Sequence, residues 1–245
     1  MVTPEPTGGG QMTVVGHLTE LRQRIMWSIV VLAGTVALCY WFSPDIIKFF
    51  LQYYTDATER GAANTFVFTG PLDAFVTRLK VATYGGIIIA LPFLLWQLWR
   101  FITPGLNPKE KRYAVPFLIA SIALFLLGAV VAMLTLPEAL KFLLNVGGQE
   151  QRPLLTADKY IGLVALMLLA FGLAFEFPVV LVFLLIARVI TTAQLRSFRR
   201  WAIVLIFIFA AVITPSQDPY SLFFMAVPMY IFYEGSIVIG RILKR

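Results

Sequence analysis

Charge is scarce in this chain, and so are histidine and cysteine. Only 13% of its 245 residues are Asp, Glu, Lys or Arg, while 59% are hydrophobic. A soluble globular domain carries about a quarter charged residues, so with a mean hydropathy of +0.82 water is not the main solvent. The one cysteine, Cys39, stands inside an apolar run and excludes an intrachain disulfide and a cysteine metal cluster. The one histidine, His17, has no His-x-x-Glu-His or Gly-x-Ser-x-Gly setting, so a zinc protease lacks its ligands and a Ser-His protease lacks a histidine at depth. No enzyme, metal site or cofactor is expected. Gly-rich phosphate loops, internal repeats and low-complexity segments are also missing. The net charge of +7 does not indicate nucleic acid, because the basic residues punctuate apolar runs instead of clustering on a soluble domain.

What is present is a series of apolar runs. Crossing a bilayer core of ~30 Å takes roughly 20 residues, and the runs at 25–42, 75–99, 115–136 and 160–187 meet that length. The fourth is long and is expected to kink at Pro178. Beyond Arg196–Arg200 come runs at 201–213 and 221–239. The fifth, about 13 residues, reaches about 20 Å as a helix, so the last two runs are expected to form a short hairpin across a locally thinned bilayer, or a re-entrant one. Thr214-Pro215-Ser216-Gln217-Asp218-Pro219 is the turn between them. The expected fold is all-α, a polytopic membrane protein with six transmembrane helices over 25–241. Residues 1–11 lack a charged n-region and a small-residue cleavage site, and are expected to form a disordered tail. Residues 12–24 are expected to be an amphipathic helix, with Val14, Leu18 and Leu21 on one face and His17, Glu20 and Arg24 on another. Residues 43–73 and 137–159 are outer loops, each long enough for short helices across the span ends. Residues 242–245 form a C-terminal end.

Lys and Arg set the orientation. With the N-terminus inside, the inner segments hold 13 of them, including Arg22, Arg24, Arg100, Lys109, Lys111, Arg112, Arg199 and Arg241, against 7 outside. The positive-inside rule then places both termini in the cytoplasm.

Three acids are candidates for function. Glu20 either forms an i,i+4 pair with Arg24, worth about 0.3–0.5 kcal/mol, or receives a cationic ligand. Glu110 is the one acid in a basic loop, among Arg100, Lys109, Lys111 and Arg112. Asn107-Pro108-Lys109-Glu110 also matches the N-cap, N1 proline and N3 glutamate of a helix start, so capping of the third span is an equal explanation. Glu176 lies well inside the fourth run; an acid at membrane depth normally faces a protein interior or wet cavity, here either a concavity or a hydrogen bond from a neighbouring helix. Trp96, Trp99, Tyr113 and Trp201 lie near span ends and read as interfacial anchors.

Five motifs in order resemble one family. They are His17-Leu-Thr-Glu20-Leu-Arg22-Gln-Arg24; Pro71-Leu-Asp73-Ala-Phe75 with Lys80; Trp96-Gln-Leu-Trp99-Arg-Phe101-Ile-Thr-Pro104 with Glu110 and Arg112; Phe171-Gly-Leu-Ala-Phe-Glu176-Phe-Pro178; and Thr214-Pro215 with Asp218. The chain resembles the TatC subunit of the twin-arginine protein translocase over nearly all of 16–241. The resemblance implies a signal-peptide receptor and scaffold in the cell inner membrane, exporting folded proteins at the expense of the proton-motive force. It implies that Glu20 and Glu110 receive the twin arginines, with Phe101, Arg22 and Arg24 beside them. Arginine's planar fork binds carboxylate bidentately while lysine offers a point charge, so two carboxylates can discriminate Arg-Arg from Lys-Lys. It further implies a cupped body whose concave face Glu176 lines, TatB-type and TatA-type single-span partners, a hetero-oligomer with several copies, and structural or partner-contact roles for Pro104, Pro178, Pro215 and Asp218. The chain departs from the family pattern at Phe50-Leu-Gln52, where Pro-Leu is common, and at Leu222, where a glutamine is common. The alternative is a proton-coupled secondary transporter using Glu176, against which stands the lack of repeat symmetry.

Overall fold

In the computed structural model, residues 14–58, 70–103, 111–146 and 156–242 are described. Among the described residues eight α-helices form: α1 (Val14–Thr58), α2 (Asp73–Ile102), α3 (Ala114–Asn145), α4 (Ala157–Ala174), α5 (Phe177–Ile186), α6 (Thr192–Ser197), α7 (Arg199–Ile213) and α8 (Pro219–Ile242). No strand occurs among the described residues.

The helices overrun the apolar runs. α1 has 45 residues, about 68 Å at 1.5 Å per residue, more than twice the hydrocarbon thickness. The amphipathic segment, the first span and the start of the outer loop are therefore one helix. α3 likewise continues past Leu136 to Asn145. Both extensions run through a proline, Pro44 and Pro137, each of which strips the carbonyl four residues earlier of its helical donor. Both stripped carbonyls find a new one. The Ser43 hydroxyl donates to the Tyr40 carbonyl at 2.8 Å, and the Tyr53 hydroxyl of α1 donates to the Met133 carbonyl at 2.6 Å. The helices survive because the freed acceptors are paired.

The fourth run is broken as expected, but at Phe175–Glu176, ahead of Pro178. The Glu176 N–H turns to the Leu173 carbonyl at 3.1 Å, and Pro178 falls in the first turn of α5, where no N–H is needed.

Small residues set the closest helix contacts. A Cβ on Gly128 of α3 would lie 2.5 Å from the Phe171 carbonyl oxygen of α4, and one on Gly86 of α2 would lie 2.8 Å from the Val36 backbone of α1. There the Thr35 hydroxyl also donates to the Gly86 carbonyl at 2.9 Å. Between α3, α4, α5 and α8 the core holds the fully buried Leu136, Tyr160, Phe171, Phe175, Leu185, Met225 and Tyr233. The outward faces remain apolar: Trp41, Leu134 and Val212 are 82%, 69% and 78% exposed. Such a surface suits lipid, not water. Five segments are long and apolar enough to cross a membrane, the fourth combining α4 with α5. α7, with 15 residues, falls short of that length.

Side-chain contacts define two ends of the bundle. At one, the start of α1 meets the end of α2 through His17–Phe101 and Arg24–Gln97, and Arg199 at the start of α7 pairs with Glu234 of α8 at 2.5 Å. At the other, the Tyr160 hydroxyl donates to the Phe50 carbonyl at 2.9 Å and Lys80 pairs with Asp158 at 2.6 Å.

Candidate functional site

Glu20 sits in the second turn of α1, and its carboxylate is already engaged. Arg24, one turn on, donates from Nε to Glu20 Oε1 at 3.0 Å and brings Nη2 to the same oxygen. Its third nitrogen, Nη1, donates to Gln97 Oε1 at 3.2 Å, so one guanidinium ties α1 to a buried amide of α2. The i,i+4 pair read from the sequence is thus present. The other oxygen, Oε2, is buried and accepts no hydrogen bond among the described residues; His17 Nδ1 stands 4.0 Å from it. The His17 ring stacks on Phe101 with centroids 4.3 Å apart and 13° between planes.

A cleft of about 510 Å³ opens beside this pair, lined by Glu20, Arg24, Trp27, Phe93, Trp96 and Arg100. Arg100 lies over the Trp96 ring at 5.3 Å. An adjoining space of about 370 Å³ runs past Trp99 and Thr103 to Ala114 and Leu118 at the start of α3. A carboxylate with one bare oxygen, flanked by aromatic faces, suits a guanidinium, which accepts both bidentate pairing and stacking.

Not every expected member is here. Arg22 lines a neighbouring groove with Thr19, Met26 and Val30 that shares Gln23 and Trp27 with the Glu20 cleft, because two residues on a helix are about 200° apart. Glu110 and Pro104 lie outside the described residues. The expected helix start at Asn107–Glu110 also lies outside the described residues; among those described, α3 begins at Ala114, after a 3-10 turn over Lys111–Tyr113, with Tyr113 at its N-cap and no side-chain cap.

Trp99 is also not the interfacial anchor expected. It is buried, stacks on Phe117 with centroids 4.9 Å apart, and donates from Nε1 to Ser121 Oγ at 3.3 Å. The Ser121 side chain also lies near the Glu176 carboxyl at the α4–α5 break. Glu176 Oε1 is buried without a hydrogen-bond partner in the described structure. A chain of polar groups, Trp99, Ser121 and Glu176, thus runs inward from the α2 end. Sequence reasoning passed over Gln97 and Ser121; the only signal for either was a polar residue inside an apolar run.

Asp218 is 1% exposed and accepts from the Ser221 N–H at 2.8 Å and from the Ser216 hydroxyl. It caps α8, with Pro219 as the first helical residue. Gln217 takes a left-handed φ of 48° before it, and Pro215 precedes that turn.

The motif residues from His17 to Asp218 fall within one family match. The model for TatC, the Sec-independent protein translocase protein, covers residues 16–228. The chain belongs to the TatC family. It is 41% identical to the Sec-independent protein translocase protein TatC of Frankia casuarinae over 244 residues, covering 96% of this chain and 67% of that one. The Aquifex aeolicus TatC is 38% identical over 237 residues, covering 96% and 97%. A crystal structure of a twin arginine translocase receptor, TatC, matches with a TM-score of 0.77 at 38% identity, over 94% of this chain and 100% of that one. This TatC protein is a multi-pass membrane protein of protein transport, a component of the Sec-independent translocase. Nothing in these likenesses supports the secondary-transporter alternative.

Proposed function

We propose that this TatC protein is the receptor and scaffold for twin-arginine signal peptides of folded proteins. The carrying observation is the Glu20 cleft: a carboxylate with a bare oxygen, set among aromatic rings where α1 and α2 converge. The likeness to a solved twin arginine translocase receptor supports the reading. Glu20 and Glu110 receive the two arginines, Phe101 braces His17 next to Glu20, and Arg24 lies in the same cleft. Arg22, on the neighbouring groove, faces the flanking part of the peptide.

α7 acts as the short fifth span and α8 as the sixth. The bundle end with Arg24, Arg100, Arg112, Arg199 and Arg241 faces the cytoplasm, as the positive-inside rule requires, and both termini lie on that side of the inner membrane. The domain plan is an N-terminal segment over 1–11, a peptide-facing segment over 12–24, the membrane body over 25–241 and a cytoplasmic end. TatB-type and TatA-type single-span subunits assemble on it in several copies, and the proton-motive force drives transport. Pro178, Pro215 and Asp218 shape turns of the body, and with Pro104 they serve structure or partner contact.

Purified protein in lipid nanodiscs should bind a twin-arginine peptide, prefer Arg-Arg over Lys-Lys, and lose binding when Glu20→Gln and Glu110→Gln are combined. Unchanged affinity in the double variant would sink the receptor reading.

A further inference from the structure

We infer that Arg24 is a built-in competitor for the peptide's arginine, and that it sets the affinity of the receptor without setting its selectivity. The inference rests on the receptor reading above. The guanidinium of Arg24 occupies Glu20 Oε1 through two of its nitrogens, on the oxygen an incoming cation would take. It is held there at 14% side-chain exposure, against 19% for Glu20, so the pair is largely sheltered from water. A second anchor, the buried Gln97 amide, takes Nη1 and gives the displaced guanidinium somewhere to remain.

Burial without this partner would leave Glu20 a poorly compensated carboxylate, so an internal guanidinium stabilises the empty site. The same contact must be given up when any peptide cation, arginine or lysine, takes Oε1. Every ligand that displaces Arg24 meets this cost equally, whether it brings arginine or lysine. By linkage the cost lowers all affinities by one factor and cancels from their ratio. The Arg-over-Lys preference stays with Glu20 and the planar fork of the ligand. What Arg24 adds is a threshold: cationic peptides with weak intrinsic affinity fall below useful occupancy, and bound signal peptides remain releasable.

The test measures binding of an Arg-Arg peptide and a matched Lys-Lys peptide to full-length protein in nanodiscs. Arg24→Gln should tighten both by the same factor, roughly tenfold, the scale of one charge-assisted hydrogen bond traded against solvent. Arg24→Lys, which keeps the charge but loses the fork, should shift both in the same direction by less. In a Glu20→Gln background, Arg24→Gln should give no tightening, since no carboxylate remains to compete for. Weaker binding, or a collapse of the Arg-to-Lys ratio, would show that Arg24 orients Glu20 and would overturn the inference. So would unchanged affinity, or tightening that persists without Glu20, which would be general relief of positive charge. Full affinity in Glu20→Gln alone would instead overturn the receptor reading, a separate failure.

Discussion

His17 and Phe101 stack face to face, with ring centroids 4.3 Å apart, although one opens α1 and the other closes α2. The stack fixes the first turns of α1, and with them Glu20, against the far end of α2. Stacked pairs contribute about 0.5–1.5 kcal/mol beyond area burial. Phe101→Ala should therefore weaken twin-arginine peptide binding by up to about tenfold, while Phe101→Tyr should retain most of it. Isothermal titration in nanodiscs would decide, and an unaltered Phe101→Ala would remove the stack from the site.

Tyr53 and Pro137 form a matched pair across α1 and α3, the hydroxyl serving the carbonyl of Met133 that the proline leaves bare. Tyr53→Phe should destabilise the protein by about 1–3 kcal/mol, the cost of an unsatisfied buried acceptor. In a Pro137→Ala background, where the helix supplies its own donor, the same change should cost clearly less. Equal losses in both backgrounds, followed by thermal unfolding in detergent, would contradict the pairing.

Gly128 and Gly34 differ in what surrounds them. A methyl on Gly128 collides with the α4 backbone, whereas one on Gly34 meets nothing within 4 Å. Gly128→Ala should lower stability by about 1–3 kcal/mol through overpacking. Gly34→Ala should be neutral or slightly stabilising, because alanine suits a helix better than glycine. The pair of melting curves needs no functional assay.

Glu176 sits with Ser121 at the α4–α5 break, away from the Glu20 cleft. Glu176→Gln preserves shape and one acceptor, so peptide affinity should be unchanged and stability should move by less than about 1 kcal/mol, while transport into inverted vesicles should fall. Loss of peptide affinity would instead assign Glu176 to the receptor site.

Asp218→Ala removes the cap of α8 and leaves Ser216 and Ser221 without their acceptor. A loss of about 1–2 kcal/mol is expected, with Asp218→Asn losing less because one acceptor oxygen remains. Proteolysis rates at the α7–α8 turn should follow the same order.

Much of this was legible before any coordinates. The order of apolar runs, the break in the fourth and the shortness of α7 all follow from composition along the chain. So did the Glu20–Arg24 pair, because i,i+4 neighbours meet on any helix. Helix lengths were misjudged because a hydropathy run marks where lipid is tolerated, not where backbone hydrogen bonds stop. The outer loops were expected over 43–73 and 137–159, and the donors from Ser43 and Tyr53 show why helices run on through Pro44 and Pro137.

The sequence by itself determined that this chain lives in a membrane, which motifs it carries and the family they belong to, since each depends on residues close along the chain. Only the tertiary structure decided that Arg24 is shared between Glu20 and Gln97 and that Phe101 reaches His17. Those contacts join residues far apart in the chain, and no periodicity encodes which buried amide or ring will lie opposite. The physical reason is close packing: helices drawn together at Gly86 and Gly128 bring specific side chains within hydrogen-bond reach, and that proximity makes a carboxylate into a site.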